Sequence, residues 1–474
     1  MVHLLRQDKP DLDILLGEPK RAIRSMVLPF FIAMFVVEIN QFIDTYWVSG
    51  LGNVSAEAVA TVVPIYGLMM CAGLGVSIGA TTSISYRIGR GEMHVAGRLV
   101  SNSIILGVIL AIIASILVFI SFDWIIDIMG AGNVRAESWS YMLPYLVLSP
   151  AILVNSVIGG CLRGEGAARK STIVQISAAV LNMIFDPILI YGLGMGNMGA
   201  GLATCLSALA GVIIGVAWYA KGKCAVKVSR SDIVTDKEAA KEILGVGGPK
   251  AVQLSISNIT DLIQRVFLIM AGGTTAIILY NYPWRYIGVV NLPGRALDSA
   301  MIPVCSTAYG QDNLKKMKTG YLYTVKLSLI ISIIGAIILF IFAEPLMSIM
   351  TQEETMQGIL PKLVWTMRVA VFLIPFAALM GIGSSMLQSM KKARISMYFY
   401  MLWAFLKLGL YALAAYGYLG VDPFDGIIYC MVAIHVFGGT SLVGMGLYFF
   451  NRISKEKALQ SDMTTIEDES SPGQ

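Results

Sequence analysis

An asparagine and an aspartate four residues apart, followed directly by a proline, form the motif of this sequence best suited to bind an ion. Asn182 and Asp186 share one face if their segment is helical. Pro187 lacks the backbone N–H that would bond to a carbonyl one turn earlier, so that carbonyl oxygen is left free. Oxygen atoms therefore collect at this point of the chain.

Three more oxygen-bearing side chains, Asp44, Thr204 and Tyr141, occur in other apolar segments. If these segments cross a bilayer as helices, Asp44 and Asp186 both lie roughly 22 Å from the same membrane edge and can face one another. Asp44, Asn182, Asp186 and Thr204 would suit a hard cation such as Na⁺. Two desolvated neighbouring carboxylates would instead carry a proton. A third interpretation, hydrogen bonding between helices, also stays open for each aspartate.

Other kinds of chemistry find little support in the sequence. Intramembrane aspartyl proteases also use two membrane aspartates, but their Gly-x-Gly-Asp is absent here because Phe185 precedes Asp186. The histidines, His3, His94 and His435, are scattered, and the six cysteines show no CxxC spacing. We therefore expect a protein that is not an enzyme and has no cofactor, zinc site or disulfide.

These side chains sit in a chain built for a membrane. Of 474 residues, 56% are hydrophobic and 14% are charged, whereas soluble proteins carry about 25% charge. Apolar stretches of roughly 20 residues, long enough to cross the hydrocarbon core as helices, recur throughout. The sequence predicts an all-α membrane protein with spans at residues 22–50, 56–88, 98–121, 137–160, 171–193, 199–220, 247–272, 278–308, 318–343, 361–386, 395–418 and 426–451.

Lys and Arg collect in every second loop, as the positive-inside rule requires of a correct span count. The other loops are neutral or acidic, such as those with Glu353 and Glu354 or with Asp422 and Asp425. This alternation predicts a multi-pass protein of the plasma membrane with both termini in the cytoplasm. The formal charge of +5 follows from this topology and from contact with anionic lipid, so no nucleic-acid partner is expected.

The chain contains an internal repeat. Pro29 precedes Asp44 by the same spacing as Pro249 precedes Gln264. A second match pairs Leu162-Arg163 through Ser171 with Leu387-Gln388 through Ser396. Each copy holds an even number of spans, which gives both the same orientation and predicts two six-helix lobes related by a pseudo-two-fold axis along the membrane normal.

The repeat sets the expected domain boundaries and separates the two lobes chemically. We expect a first lobe at 1–220, a cytoplasmic connector at 221–246, a second lobe at 247–451 and a disordered tail at 452–474. In the second lobe Gln264, Lys407 and Tyr411 replace Asp44, Asn182 and Asp186. Ion coupling should therefore belong to the first lobe. Glu38, Gln264, Lys407 and Tyr411 are candidates for a substrate cavity, and we expect two structural pairs, Asp261 with Arg265 and Arg295 with Asp298.

The residues from Pro29 to about Arg452 resemble the multidrug and toxic compound extrusion (MATE) family, in particular its DinF-like branch. This family belongs to the multidrug/oligosaccharidyl-lipid/polysaccharide flippase superfamily. The resemblance is carried by the Asp44 segment, Leu162-Arg163-Gly164-Glu165-Gly166, Asn182-x-x-x-Asp186-Pro187 and Gly199-Ala200-Gly201-Leu202-Ala203-Thr204. It implies a cation or proton site at Asp44, Asn182, Asp186 and Thr204, with Tyr141 close by. It also implies a first span that bends at Pro29 when the carboxylates protonate.

The resemblance further implies antiport by alternating access, in which organic, cationic or amphipathic compounds leave in exchange for H⁺ or Na⁺. We expect a monomer in the bilayer with small organic substrates. The alternative is a flippase for a lipid-linked or polysaccharide precursor. Such a protein needs a basic cavity for a diphosphate, for which the second lobe offers Arg265, Arg285, Arg295 and Lys407.

Overall fold

The protein is built from α-helices, as far as the described residues show. The structure, a computed structural model, describes residues 9–351 and 357–470; His3, Glu353 and Glu354 lie outside them. The helices are Lys9–Leu16, Pro19–Ser49, Asn53–Gly89, Met93–Ile128, Arg135–Gly164, Ala168–Pro187, Gly196–Ala220, Lys237–Gly310, Leu314–Ile341, Ala343–Met350, Leu360–Ala370, Ile374–Ser389, Ala393–Ala415 and Pro423–Ser470.

Eleven helical segments of the described chain are long and apolar enough to cross a membrane. One of them, Lys237–Gly310, is 74 residues long and leaves helical geometry at Gly272 and at Gly273, where φ is +64°. Glycine tolerates this left-handed backbone, so the chain turns there. The segment thus supplies two spans, which gives the predicted total of twelve. They are numbered first to twelfth in chain order.

The spans form two six-helix bundles, as predicted. The first lobe contains the first six spans, and the second lobe contains the last six. Each lobe has its own buried apolar clusters. A further cluster joins the lobes, because Ile23 and Met26 of the first span pack with Leu297 and Val304 of the eighth. Helices satisfy every internal backbone group, which the hydrocarbon core demands.

The two lobes meet closely at one end through a reciprocal pair of glycines. A Cβ atom on Gly89 would lie 2.2 Å from the carbonyl oxygen of Thr307, and a Cβ on Gly310 would lie 2.1 Å from that of Tyr86. Thr307 also donates a hydrogen bond to the carbonyl of Ser85, 3.2 Å away. The glycine of each lobe thus packs against a backbone carbonyl of the other lobe. The contact is the same in both directions, as the predicted pseudo-two-fold axis requires.

Charged side chains reinforce this junction. Glu242, which precedes the seventh span, accepts hydrogen bonds from Arg87 of the second span at 2.7 Å and from Lys391 after the tenth at 2.8 Å. Arg87 also pairs with Glu92. Three basic loops therefore lie at the same end of the molecule, as the alternation of charge predicted. We call it the basic end, and the lobes are closed against each other here.

The connector folds back on the first lobe instead of hanging free. Glu165, directly after the fourth span, is fully buried and accepts hydrogen bonds from the backbone N–H of Val226 at 2.9 Å and from the Tyr219 hydroxyl at 3.3 Å. The connector ends earlier than predicted. Asp236 caps the next helix by accepting from the backbone N–H groups of Glu238 and Ala239, so the helix begins ten residues before the predicted span.

The final helix continues to Ser470, into the tail for which the sequence predicts disorder. A helix that is already nucleated adds each further residue at little cost. The tail begins with good helix formers, and Arg452 and Glu456 form an ion pair at the i, i+4 spacing.

Glu165 should make stability depend on pH. Burial raises the pKa of its carboxyl from 4.5 to about 7, so the folded protein holds this proton where the unfolded chain has lost it. The free energy of unfolding should then fall as pH rises from about 4.5 to about 7 and level off above. In Glu165→Gln the free energy of unfolding should fall less over this pH range, because the amide does not titrate. Thermal unfolding in detergent at pH 5 and pH 8 measures it, with exposed Glu238→Gln as control; equal decreases in both variants would contradict the prediction.

Weakening the junction should loosen the basic end. Glu242→Gln removes the charge that holds Arg87 and Lys391, and a partly exposed pair contributes about 0.5–1 kcal/mol. The test uses a cysteine-free background that carries Thr307→Cys. In it, a soluble maleimide should label the thiol about two- to fivefold faster with Glu242→Gln than in the protein that keeps Glu242. Glu238→Gln, one turn earlier on the same helix, is the control and should leave the rate unchanged. Equal labelling with and without Glu242→Gln would show that the pair does not hold the lobes together.

Candidate functional site

A chain of polar side chains links the first span to the fifth inside the first lobe. Asn40 donates a hydrogen bond from Nδ2 to Oδ1 of Asn182, 2.8 Å away, and Asn182 donates from Nδ2 to Oδ1 of Asp186, 3.0 Å away. Asn182 is 3% exposed and Asp186 is 0% exposed. The motif thus lies on one helix face as predicted, and its carboxylate is buried behind the two amides.

Local sequence explains this placement. The helix Ala168–Pro187 ends at its proline, and the chain continues as a wider π-helical turn, Ile188–Gly192. Pro187 therefore follows the carboxylate at the point where regular helical hydrogen bonding stops. In the first span the helix runs through Pro29 to Ser49.

The two carboxylates of the first lobe are neighbours. Asp44 follows Asn40 by one helical turn and Asp186 follows Asn182 by one turn, and the hydrogen bond between Asn40 and Asn182 joins these two turns. One buried oxygen of each carboxylate, Oδ1 of Asp44 and Oδ2 of Asp186, has no hydrogen-bond donor among the described residues. Buried polar atoms are rarely left without a partner. These two oxygens can accept a proton or a cation.

Tyrosines form the wall beside the carboxylates. The hydroxyls of Tyr141 and Tyr145 lie 3.0 Å apart, and the rings of Tyr145 and Tyr66 pack with their centroids 4.6 Å apart. Thr204 of the sixth span and Tyr66 line one small cavity with Asn40 and Asn182, and Thr204 donates its hydroxyl to the carbonyl of Ala200. The predicted residues Tyr141 and Thr204 therefore belong to the same polar cluster as the carboxylates.

A cavity of about 330 Å³ opens next to this cluster in the first lobe. Its lining includes Asn40, Asn182 and Thr204, together with Arg163 and Gln175. Among the described residues no group of three or more His, Cys, Asp or Glu side chains could hold a metal. Bound Na⁺ would therefore need amide and hydroxyl oxygens beside the carboxylates, and the cluster contains both.

A second, larger cavity of about 610 Å³ lies between the lobes. Of the four predicted cavity residues, Glu38 lines it. The other lining residues come from seven spans: Met34, Val37, Gln41, Leu74, Ile78, Thr81, Arg163, Gln175, Lys250, Leu254, Leu292, Arg295, Asp298, Ser299, Ile302 and Ser385. Val37, Leu74, Arg163 and Gln175 line both cavities, so the two spaces adjoin.

The other three predicted cavity residues lie apart from this space, inside the second lobe. Gln264 is 2% exposed and Tyr411 is 0% exposed. Lys407, 3% exposed, donates to Oδ1 of Asp261 at 2.9 Å and lies over the ring of Trp403. Gln264, Lys407 and Tyr411 occupy the positions equivalent to the first-lobe cluster, and here a buried lysine pairs with an exposed carboxylate.

The two predicted ion pairs do not form in the described part of the chain. Asp261 pairs with Lys407 on another span, not with Arg265 four residues along its own helix, so packing between helices overrides the spacing along one helix. Arg295 and Asp298 both line the larger cavity without an ion pair between them among the described residues.

Comparison with known proteins agrees with the geometry. One family model, MatE, matches the chain twice, over residues 29–188 and 249–420. The chain belongs to the MatE family. This is a family of membrane transporters, so the chain is a transporter and not an enzyme. The repeated match confirms the internal duplication.

Relatives of known description are multidrug exporters. MepA of Staphylococcus saprophyticus, a multidrug export protein, is 25% identical over 335 residues, which are 70% of this chain and 73% of the relative. MepA of Staphylococcus aureus is 24% identical over 336 residues, 70% of this chain and 74% of the relative.

Solved structures share the whole fold. A MATE crystallised in complex with MaL6 has a TM-score of 0.89 and 26% identity, covering 94% of this chain and 99% of its own. A superfamily member from Pyrococcus furiosus, described as having a binding pocket of reverse polarity, has a TM-score of 0.88 and 26% identity, with coverage of 95% and 100%. An outward-facing multidrug resistance MATE transporter has a TM-score of 0.88 and 25% identity, with the same coverage.

Sequence reasoning missed three residues of the cluster. Asn40 precedes Asp44 by four residues, and Tyr145 follows Tyr141 by four, so the i, i+4 rule that found Asn182 and Asp186 also points to them. Tyr66 gave no such signal, because its contacts come from a neighbouring span.

Asn40 should stabilise the first lobe. In Asn40→Ala the Oδ1 of Asn182 loses its described donor, which should lower the free energy of unfolding by about 0.5–1.5 kcal/mol. Thermal unfolding of purified protein in detergent measures the loss. Thr45→Ala, an exposed change in the same span, is the control, and identical melting of the two variants would refute the proposed contact.

Proposed function

We propose that this MatE protein is a secondary active antiporter that exports organic compounds in exchange for H⁺ or Na⁺ by alternating access. The observation that carries the proposal is the pair of neighbouring carboxylates, Asp44 and Asp186, each with a buried oxygen that no described donor reaches. A buried carboxylate without a partner is costly in a membrane. A bound ion would relieve this cost in one state of the cycle.

The first lobe would then work as the ion-sensitive half of the transporter. A proton or Na⁺ entering through the adjoining cavity would meet Asn40 and Asn182, which lead to Asp186. Binding would reduce the repulsion between the two carboxylates and allow the first and fifth spans to move closer. Pro29 and Pro187 mark where these spans can bend, because neither residue supplies a backbone hydrogen bond.

The two lobes provide the alternation. They are closed against each other at the basic end, through the glycine contacts and the Glu242 junction. The positive-inside rule predicts that the basic end lies on the cytoplasmic side of the plasma membrane. The present state would therefore admit ions and release substrate on the outer side. A ligand shifts the equilibrium between states only by its difference in affinity for them, so ion and substrate should oppose each other.

The relatives support this direction. MepA is a multidrug export protein, and one structural neighbour is an outward-facing multidrug resistance transporter. Neighbours have also been crystallised in straight and bent conformations, and as a mutant in which alanine replaces a proline. Those descriptions favour a bend at a proline, which in the first span of this chain would be Pro29.

Removing either carboxylate should abolish coupled transport. In proteoliposomes with an imposed pH or Na⁺ gradient, wild type should move a substrate dye against its concentration. Asp44→Asn and Asp186→Asn should each reduce that rate by about 100-fold or more, since the amide keeps the shape but can neither bind a proton nor supply charge. The gradient that drives wild type names the coupling ion.

Asp127→Asn is the matched control, because Asp127 is an exposed carboxylate of the same lobe that pairs with Arg135. It should transport at the wild-type rate. Gradient-driven transport at full rate in both Asp44→Asn and Asp186→Asn would mean that the carboxylates serve packing and that the coupling site lies elsewhere.

A further inference from the structure

The central cavity between the lobes carries more positive than negative groups. Arg163, Lys250 and Arg295 line it, against Glu38 and Asp298, which leaves an excess of one positive charge from three cations and two carboxylates. The apolar remainder of the lining suits an organic molecule, and about 610 Å³ lies in the range of small-molecule sites.

Among the described residues, hydroxyl groups alone hold the guanidinium of Arg163. It donates from Nη2 to the Ser77 hydroxyl at 2.9 Å and from Nη1 to the Ser171 hydroxyl at 3.4 Å. Both acceptors are neutral, and no carboxylate in the described part of the chain forms an ion pair with it. A partly buried cation without a counter-charge is costly, and a bound anion would offset that cost.

The repeat shows that the fold does not require this charge. Gln388 is the second-lobe residue equivalent to Arg163, and it donates to the Ser384 hydroxyl at 2.9 Å. Ser384 in turn bonds to Ser396, the equivalent of Ser171. Two neutral hydroxyls thus join the corresponding helices, and among the described residues the amide of Gln388 bonds only within its own helix. The guanidinium of Arg163 adds a charge, and it points to the space that both cavities share.

The other charged groups are partly accounted for. Lys250, Arg295 and Asp298 line the same cavity, so this carboxylate can offset one of the two cations. In the first lobe the equivalent of Lys250 is Phe30, an apolar core residue, so a lysine is no requirement of the fold here either. With Glu38 offsetting a second cation, one of the three cations of the lining remains in excess.

We infer that the central cavity binds the transported compound through an anionic group, a carboxylate or a phosphate, held by Arg163 and supported by Lys250 and Arg295. The substrate class is therefore amphipathic organic anions, not the cations that the family resemblance implies. Arginine suits this role because its planar N–H groups match two oxygens of a carboxylate or phosphate. This inference rests on the proposed export function.

Two dyes that share one ring system but differ in charge test whether binding depends on the charge of the ligand. Fluorescein is anionic and rhodamine 123 is cationic, and both share the xanthene core. Fluorescence polarisation with the detergent-solubilised full-length protein should show tighter binding of fluorescein. Arg163→Gln, which installs the residue found in the second lobe, should weaken fluorescein about tenfold or more and leave rhodamine 123 unchanged or tighter.

Lys250→Gln should weaken fluorescein in the same direction, so the inference does not depend on a single variant. Arg285→Gln is the control, since this exposed arginine lies over the Phe42 ring and outside the central cavity lining. It should bind both dyes as wild type does. Unchanged fluorescein affinity in both Arg163→Gln and Lys250→Gln, or a wild-type preference for rhodamine 123, would overturn the inference.

Competition distinguishes the source of the anionic group. Displacement of fluorescein by naphthoate alone identifies a free organic anion, whereas displacement by dihexanoyl phosphatidylglycerol identifies a lipid headgroup. Displacement by neither overturns the site. The binding assay needs no gradient, so fluorescein binding that persists in Asp44→Asn and Asp186→Asn while transport is absent would support the anion site independently of the coupling. Gradient-driven transport that persists while fluorescein fails to bind would reject the anion site and leave the antiporter standing.

Discussion

The structure depends on one constraint, that hydrocarbon neither solvates charge nor donates hydrogen bonds. Helices satisfy the backbone under this constraint, and polar side chains can be kept only where other groups of the protein meet them. The chain Asn40–Asn182–Asp186 obeys the constraint along most of its length. Among the described residues no donor reaches Oδ1 of Asn40, and none reaches one carboxylate oxygen each of Asp44 and Asp186. Everything proposed about ion coupling follows from those two carboxylate oxygens.

The duplication shows how the same scaffold can meet the constraint in two ways. In the second lobe Lys407 and Asp261 neutralise each other, and Tyr411 and Gln264 fill the space where the first lobe has its carboxylates. At these positions the described residues leave no carboxylate unpaired, although the Tyr411 hydroxyl has no hydrogen-bond partner among them. In the described part of the first lobe no cation pairs with Asp44 or Asp186, and the proposed function assigns that role to an external ion. The two lobes therefore share a fold but differ in the chemistry of their interiors. These differing residues lie inside the lobes and not at their junction.

The sequence predicts the fold well because each membrane span has a local signal, an apolar segment of the right length between loops of alternating charge. Apolar length and loop charge gave the twelve spans, and equal spacing from Pro29 and Pro249 indicated the repeat. The i, i+4 rule placed Asn182 beside Asp186. The same local reasoning was wrong for Asp261, whose partner lies on a distant span, and for Gln264, Lys407 and Tyr411, which pack away from the central cavity. Contacts between helices depend on how the helices rotate against each other, and no single-helix pattern records that rotation.

The reciprocal glycine contact has a consequence for how such a protein can evolve. Gly89 touches the backbone of the second lobe and Gly310 touches that of the first, so a side chain gained by either half acts as a wedge against the other. Each lobe therefore restricts substitution of the glycine of the other lobe at this junction. Residues in the interior of either lobe are not restricted in this way. A duplicated gene under this restriction keeps the contact between its two halves, and the lobes of one chain can specialise without losing the surface at which they meet.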